Sequence, residues 1–279
     1  MVDDLRITVL AENTVRRADL LGEHGLAFWI EADGRRILFD TGQGRVLRHN
    51  TEQLGIPLDT TEIVALSHGH FDHTGGLKSV LGAQRQVAVY LHPAAVESKY
   101  ARQNAPPHRY IGIPDFSEQA LRRQTERVVW THEPTELTPG VYLTGEIPRG
   151  NDFEDTGGPF FRDASCTDPD PLIDDQALYV ETPIGTVVVL GCAHAGVVNT
   201  LDCIAELTDG DRVHAVLGGM HLVRADQRRL EATAAALARR GVQRIGTAHC
   251  TGTRATTHLW SQLPDRCFEC CVGTVFRIE

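Results

Sequence analysis

Basic charge is scarce in this 279-residue chain, which has 27 Lys and Arg against 37 Asp and Glu and a formal net charge of −10. An acidic chain disfavours wide contact with a nucleic-acid backbone or an anionic membrane, although a local basic pocket is compatible with it. The N-terminus has no signal-peptide core, and no apolar run approaches the length of a membrane span. These absences predict a cytoplasmic protein that binds small molecules rather than nucleic acid or membranes.

Cysteine is infrequent and odd in number. Seven cysteines in a chain without an export signal favour reduced thiols over a disulfide framework. Residues 267–271 (CFECC) contain one Cys-x-x-Cys spacing, and a second pair of that spacing is missing. This segment therefore predicts ordinary strand packing, with structural zinc or redox chemistry as alternatives.

What the chain does contain is a concentration of metal-binding side chains at residues 67–76 (SHGHFDHTGG). The apolar run before it, residues 63–66 (IVAL), is short and rich in β-branched residues. Such a run predicts a buried strand that ends at Ser67. The metal-binding side chains would then lie at the carboxyl end of that strand.

The spacing of these side chains suits two ions. In an extended chain, His68 and His70 project to the same side and can bind one ion together. Asp72 and His73 follow where a helix can begin, so they approach from another direction and can hold a second ion. Imidazole and carboxylate are ligands of zinc, and this cluster predicts a metal site rather than a polar turn.

Strand and helix patterns fill the rest of the chain, and no Pro- or Ser-rich linker divides it. Strand patterns occur at residues 5–9, 26–31, 36–40, 87–91, 127–131, 140–144, 177–180, 186–190, 213–217, 242–246 and 273–278. Helical patterns occur at residues 77–82, 197–207 and 225–240, and in a short segment that ends at residue 263. Both halves are β-rich, which indicates an α/β (α+β) chain with two packed sheets and outer helices.

Two segments, near residues 94–119 and 145–170, show no such periodicity. Both are polar and irregular, and segments of this length are unusual in a folded domain unless they cover a site. We interpret both as walls of a substrate pocket, with plain surface loops as the alternative.

Residues 67–76 resemble the His-x-His-x-Asp-His signature of the metallo-β-lactamase fold superfamily, and the similarity runs from Asp40 nearly to the C-terminus. The resemblance implies a four-layer αββα sandwich. We expect one domain over residues 1–279, with the segments 94–119 and 145–170 as insertions that form the pocket walls.

Several short segments resemble one branch of that superfamily, the 7,8-dihydropterin-6-yl-methyl-4-(β-D-ribofuranosyl)aminobenzene-5′-phosphate synthase family. These segments are residues 66–76, 191–199 (GCAHAGVVN), 219–222 (GMHL) and 249–252 (HCTG). The family label is a weak guide to the substrate, because one fold and one type of site serve many reactions.

The resemblance implies two metal-binding groups of three side chains. The first group is His68, His70 and His194, and the second group is Asp72, His73 and His249. We expect two Zn²⁺ ions in these groups, with Mn or Fe as alternatives.

Two further residues are expected beside the ligands. Asp40 closes an apolar run, and an aspartate at this place in the superfamily orients a ligand histidine; a solvent-exposed turn cap is the alternative. Cys192 follows Gly191 where many members carry an aspartate that bridges the ions. Either Cys192 occupies that position, as a thiolate ligand or a small buried residue, or the alignment shifts by two residues and His194 stands there.

The leading function is that of a metal-dependent hydrolase, or a related transferase, whose metal-bound hydroxide attacks a small anionic substrate such as a phosphoester or a pterin-type compound. Asp72 would take a proton, and His221 would donate one or hold an anionic substituent; a supporting or core histidine is the alternative for His221. Arg149, Arg109 and Arg162, from the two irregular segments, are the predicted substrate-binding residues.

Other functions remain open at this point. A lactone or lactam hydrolase would use the same nucleophile on a carbonyl, and a di-iron redox enzyme would use the same His and Asp ligands. A ligand-binding relative without catalysis belongs to a different class, and the intact ligand set counts against it. The sequence makes no prediction of the oligomeric state.

Overall fold

The computed structural model describes residues 1–82, 87–123, 125–210 and 212–278. The strands are β1 Leu5–Ala11, β2 Ala27–Ala32, β3 Arg35–Phe39, β4 Ile63–Ala65, β5 Ala88–Leu91, β6 Tyr100–Ala101, β7 Arg109–Tyr110, β8 Val128–Trp130, β9 Thr135–Thr138, β10 Val141–Leu143, β11 Phe160–Phe161, β12 Leu178–Val180, β13 Thr186–Leu190, β14 Val213–Gly219, β15 Arg244–Ala248, β16 Cys267–Glu269 and β17 Val275–Ile278. The helices are α1 Leu47–Leu54, α2 Phe71–Thr74, α3 Leu77–Leu81, α4 Asp115–Arg122, α5 Val197–Leu207, α6 Gln227–Arg239 and α7 Thr253–Gln262. None of the described helices combines the length and the apolar character needed to cross a membrane.

One seven-stranded sheet has the order β17-β1-β2-β3-β4-β5-β8. Its first three strands lie at the predicted strand patterns 5–9, 26–31 and 36–40 and form an antiparallel meander, and the β2–β3 hairpin turns at Asp33 and Gly34, both with positive φ (47° and 79°). Asp-Gly is favoured in two-residue hairpin loops because both positions need positive φ. From β3 onward the strands β3, β4, β5 and β8 are parallel, so their carboxyl ends share one edge.

The second seven-stranded sheet has the order β16-β15-β14-β13-β12-β10-β9. Strands β13, β14, β15 and β16 are parallel, and β9, β10 and β12 pair antiparallel at the other side. In sheets with parallel strands, ligands bind outside the carboxyl ends of the strands. The segments that follow β13, β14 and β15 therefore lie where a site is expected.

Three hydrophobic cores define the layers. The central core joins side chains from both sheets, including Phe28 and Ile37 of the first sheet and Leu178 and Val189 of the second. A second core packs α5, α6 and α7 on the outer face of the second sheet, and a third packs α1, α3 and α4 on the first. Each fully buried large apolar side chain contributes about 1.5–3 kcal/mol. The order helix, sheet, sheet, helix confirms the predicted mixed α/β sandwich.

The prediction of irregular structure was wrong for part of residues 94–119. Helix α4 begins at Asp115 and continues to Arg122, so its first turn lies in this segment, and β6 pairs with both β7 and β11 in a small three-stranded sheet. The helix buries only Ser117 and Leu121, so its sequence shows too few apolar positions for a helical period to appear. Within residues 145–170, the described secondary structure is β11 alone, as the composition indicates.

Candidate metal centre

The structure brings the six predicted ligands together where β4, β13 and β15 end. The ring centre of His68 lies 4.5 Å from that of His70, 4.3 Å from that of His73 and 4.8 Å from that of His194. All six side chains are buried. Because these strands come from two different sheets, the site lies at the junction of the two halves of the fold.

In the first group, His68 Nε2 lies 2.9 Å from His70 Nδ1, and the ring centres of His70 and His194 are 5.0 Å apart. His194 Nε2 is buried and has no hydrogen-bond partner among the described residues. A buried polar nitrogen without a partner costs free energy unless another group binds it. Converging imidazole nitrogens of this kind fit a metal ion.

In the second group, His249 Nε2 lies 3.5 Å from Asp72 Oδ2, and the ring centres of His73 and His249 are 5.1 Å apart. Cys192 Sγ lies 3.2 Å from His73 Nε2. The ligand atoms of His73, Cys192 and His249 are all within 4.8 Å of one another, and so are those of Cys192 with His68 and His194. Cys192 therefore lies between the two groups.

The δ nitrogens of three histidines are engaged by acceptors outside the cluster. His68 Nδ1 is 2.8 Å from Ser67 Oγ, and His194 Nδ1 is 2.7 Å from the carbonyl oxygen of Thr156. His249 Nδ1 is 2.9 Å from Asn13 Oδ1. A hydrogen bond from Nδ1–H fixes the tautomer in which Nε2 keeps its lone pair for a metal.

Asp40 contacts one histidine of each group, His73 directly and His68 through Ser67. Its Oδ2 lies 2.6 Å from His73 Nδ1 and accepts a 2.7 Å hydrogen bond from Ser67 Oγ, which in turn contacts His68. Its Oδ1 accepts from the Ser67 backbone N–H at 2.7 Å. The carboxylate is fully buried, which excludes the alternative of a solvent-exposed turn cap.

The two groups differ in their electrostatics. Burial lowers the pKa of His68 and His194 well below the usual value and that of His70 to about 3, so these rings stay neutral, the form that binds metals. At His73, burial opposes the charge, but the Asp40 carboxylate outweighs it and raises the pKa to about 9. His73 therefore holds a proton in the metal-free protein, and a metal ion bound by this ring would have to displace that proton.

A buried ion pair that the sequence did not reveal supports the His68–His70 turn. Lys99 Nζ donates to Asp170 Oδ2 and Asp174 Oδ1, each at 3.0 Å, and Asp174 Oδ2 accepts from the Gly69 backbone N–H at 2.8 Å. A Cβ atom at Gly69 would lie 2.0 Å from the carbonyl oxygen of Ala95, so only glycine allows this approach. The segments predicted as pocket walls therefore hold the motif in place.

Two more potential ligands were missed. His24 Nε2 lies 3.1 Å from Asp72 Oδ2, and these two residues form a further three-ligand group with His249. Cys250 forms another with Cys192 and His221. His24 stands in a loop without a motif, whereas the position of Cys250 directly after His249 was a signal in the sequence.

The predicted catalytic residues lie at the centre or against it. Asp72 belongs to the second group, as described above. The ring of His221 is centred 4.3 Å from that of His194, and its Nδ1 is buried without a partner among the described residues. Both roles in catalysis stay predictions.

The three predicted substrate-binding arginines are not equivalent. The guanidinium of Arg109 lies 4.7 Å from the ring centre of Phe71, inside the motif. Arg162 pairs with Asp168, and Arg149 Nη2 donates to the carbonyl oxygen of Pro171 at 2.5 Å. Since protein acceptors occupy the last two guanidinium groups, Arg109 is the best placed of the three, and substrate binding by all three stays a prediction.

Backbone strain is concentrated at the same place. Asp40, Ala193, His221 and His249 have positive φ values of 58°, 55°, 44° and 50°. Residues with a Cβ atom rarely adopt this region, and they cluster at functional sites when they do. The strained positions directly follow strands or lie beside the ligands, so the fold holds these side chains in set directions.

The chain is similar to known proteins in sequence and in fold. A model of the metallo-beta-lactamase superfamily matches residues 21–202. A protein of Methanocaldococcus jannaschii named 7,8-dihydropterin-6-methyl-4-(beta-D-ribofuranosyl)-aminobenzene-5'-phosphate synthase is 31% identical over 266 residues, covering 91% of this chain and 90% of that protein.

Solved structures agree with the sequence matches. Tm1679, described as a metal-dependent hydrolase of the beta-lactamase superfamily, has a TM-score of 0.83 at 31% identity and covers 98% of each chain. YhfI from Bacillus subtilis, a metallo-beta-lactamase fold protein, has a TM-score of 0.58 at 12% identity over 99% of this chain and 100% of that one, which shows the fold alone. On the superfamily match and the 31% identity, this chain belongs to the metallo-beta-lactamase superfamily.

Proposed function

We propose that the protein is a metal-dependent hydrolase, or a closely related transferase, that acts on a small anionic substrate of the phosphoester or pterin type. The observation that carries the proposal is the convergence of buried imidazoles on Cys192, whose sulfur lies within 4.8 Å of ligand atoms of His68 and His194 and also of His73 and His249. The superfamily supports the metal dependence, and one relative is named for a compound with a dihydropterin and a phosphate. A cytoplasmic location belongs to the same proposal.

We assign one ion to His68, His70 and His194 and a second to Asp72, His73 and His249, with Zn²⁺ as the expected metal and Mn or Fe as alternatives. Cys192 would help to hold the metal, since its sulfur lies within 4.8 Å of ligand atoms of His68 and His194 and of His73 and His249. The chemistry that such a centre supplies is Lewis-acid polarisation of the scissile bond and a lowered pKa of water.

The protein's own side chains would orient the centre and move protons. Asp40 fixes the ring of His73 directly and that of His68 through Ser67, as the 2.6 and 2.7 Å contacts indicate. Asp72 would accept a proton in the reaction. Its Oδ2 lies 3.1 Å from Nε2 of His24 and 3.5 Å from Nε2 of His249, and these contacts outweigh burial and lower the pKa of the carboxyl, so Asp72 is ionised before the reaction. Because His24 is largely exposed, it could pass that proton to solvent.

The test is a substrate panel with protein loaded separately with Zn²⁺, Mn²⁺ or Fe²⁺. The panel contains aryl phosphomonoesters and diesters, lactones, a β-lactam and dihydropterin derivatives. We expect metal-dependent turnover of phosphoesters or pterin compounds. Preference for lactones would show that the substrate is a lactone rather than a phosphoester or a pterin compound. Absence of turnover with all three metals would contradict the proposal.

Asp72→Asn is the variant that tests the mechanism. It keeps the shape of the side chain and removes its charge, so kcat should fall by about 10²–10⁴-fold while the fold is retained. The matched control is Asp59→Asn, because Asp59 is exposed and lies outside the site. Wild-type turnover in Asp72→Asn would remove this residue from the mechanism.

A further inference from the structure

A cavity of about 340 Å³ adjoins the candidate metal centre. Its lining includes Thr156, Gly157, His221, Arg224 and Arg229. Two of these residues touch the centre: the ring of His221 is centred 4.3 Å from that of His194, and the carbonyl oxygen of Thr156 lies 2.7 Å from His194 Nδ1. The volume lies within the ~300–1,000 Å³ range of small-molecule pockets, so a group of a substrate can occupy it.

Arg229 is the unusual residue of this cavity. Its side chain is only 5% exposed, and its Nη1 donates to Asp155 Oδ1 at 2.6 Å. Nε and Nη2 are both buried, and no described residue accepts a hydrogen bond from either. A guanidinium is always charged and carries five N–H donors, so burial with donors unused is unfavourable.

The one carboxylate on Arg229 is a weak competitor for an incoming anion. The Asp155 side chain is 80% exposed, and an ion pair with a partner so open to water contributes little. The other acidic residue of the cavity, Asp226, is engaged as the cap of α6, where its Oδ1 accepts from the Arg229 backbone N–H at 2.8 Å. Arg224 adds a second, exposed guanidinium at the same wall.

The local backbone brings this wall against the centre. A Cβ atom at Gly157 would lie 1.8 Å from Cδ2 of His221, and the φ of Gly157 is +83°. Only glycine allows this contact, which places residues 155–158 between Arg229 and the metal ligands. The cavity is therefore a continuation of the candidate site rather than a separate surface pocket.

We propose that this cavity is a phosphate subsite, in which Arg229 and Arg224 bind a phosphate group of the substrate while the bond to be broken lies at the metal centre. Planar guanidinium groups match phosphate oxygens two at a time, and two of them suit the double charge of a phosphate monoester. The catalytic meaning of the subsite rests on the proposed function, but phosphate binding does not.

The experiment titrates inorganic phosphate into metal-loaded protein by isothermal titration calorimetry. Arg229→Met should weaken phosphate binding by at least about tenfold, because charge-assisted contacts are lost. The matched control is Arg228→Met: Arg228 is the neighbouring residue on α6 and ties the same loop through Asp152 at 2.7 Å, yet it does not line the cavity. This control should change the affinity by less than about twofold.

A second variant gives an effect of the opposite sign. Asp155→Asn keeps an oxygen that can accept from Gly157 N and Arg229 Nη1 but removes the competing charge, so it should tighten phosphate binding about threefold or more. A purely structural Arg229 would show no gain. If Arg229→Met does not fold, two other variants decide the question. Asp155→Asn should bind phosphate more tightly, and Arg224→Met, at an exposed residue, should bind it about threefold more weakly.

Three results would overturn the subsite: no saturable phosphate binding by the wild type, equal binding by Arg229→Met and Arg228→Met, or no gain in Asp155→Asn. Phosphate held by the metal centre alone would produce the second result. The test of the subsite is separate from the test of the proposed function. If phosphate binding depends on Arg229 but the protein has no turnover, the subsite is supported and the hydrolase function is contradicted. If the protein has turnover but phosphate binding does not depend on Arg229, the hydrolase function is supported and the subsite is contradicted.

Discussion

The two groups of candidate ligands differ in charge and in access to water. The first group, with His68, His70 and His194, consists of imidazoles that burial keeps neutral. The second contains the Asp72 carboxylate and reaches the surface through His24, whose side chain is 60% exposed. Two ions in this site would therefore not be equivalent, since one would lie among neutral nitrogens and the other beside a carboxylate and near solvent.

The groups also differ in what supports them. The His68–His70 turn of the first is held by Asp174, which is bound in turn to buried Lys99. The second depends on Asp40 and on the segment after β1, where Asn13 contacts His249. We therefore expect a substitution at Lys99 or Asp174 to affect mainly the first group, and a substitution at Asp40 or Asn13 to affect mainly the second.

The largest effect is expected from His194→Ala, which removes a ligand of the first group. Metal content should fall from two ions to at most one, and activity should fall by at least roughly 10⁴-fold, equivalent to about 5.5 kcal/mol, because the Lewis-acid centre is lost. Elemental analysis and steady-state kinetics measure both. His49→Ala is the control, because His49 lies on α1 and its Nε2 contacts the carbonyl oxygen of Asp19 at 2.9 Å, away from the centre. A comparable loss in both variants would show that the effect does not come from removing a ligand.

The next effect concerns stability. Lys99→Met leaves Asp170 and Asp174 buried without their cation, and breaking a buried ion pair from one side costs about 3–5 kcal/mol. Urea unfolding should show this loss, whereas Lys78→Met, at an exposed lysine, should stay within about 0.5 kcal/mol of the wild type. A loss below about 1 kcal/mol in Lys99→Met would show that the pair does not support the motif.

The ligands could be predicted from the sequence because their positions are local signals. His68 to His73 lie within one short segment after a β-branched run, and His194 and His249 each follow a strand pattern. Their supports were not visible in this way. Lys99 is 71 and 75 residues from its two aspartates, and it meets them where β6, directly after Lys99, pairs with β11, shortly before Asp170.

The arginines near the candidate site also could not be identified from the sequence. The substrate-binding arginines were expected from the irregular segments; Arg149 and Arg162 contact protein acceptors, and their role in substrate binding stays a prediction. The buried guanidinium beside the centre is Arg229, on a helix whose pattern showed only ordinary amphipathic packing. Burial of a charge is a property of the tertiary structure, and the helical period alone does not distinguish a buried arginine from a surface one.

A smaller effect is expected from Asp40→Asn. The change keeps the size of the side chain but removes the charge that faces His73, so metal affinity should fall by about 10–100-fold. The second group should lose more than the first, because Asp40 reaches His68 only through Ser67. Competition with a chelator, followed ion by ion, measures the two affinities, and an equal loss at both would show that Asp40 serves them alike.

If two ions share this site with Cys192 between them, a titration of metal-free protein with Co²⁺ should detect both ions and the sulfur of Cys192. We expect two ions per chain and a thiolate-to-cobalt charge-transfer band that grows through both equivalents, because Cys192 Sγ lies near both groups. Cys192→Ser should abolish the band, and Cys203→Ser, on α5, should leave it unchanged. Binding of one ion or none, or of two ions without a thiolate band, would contradict the account.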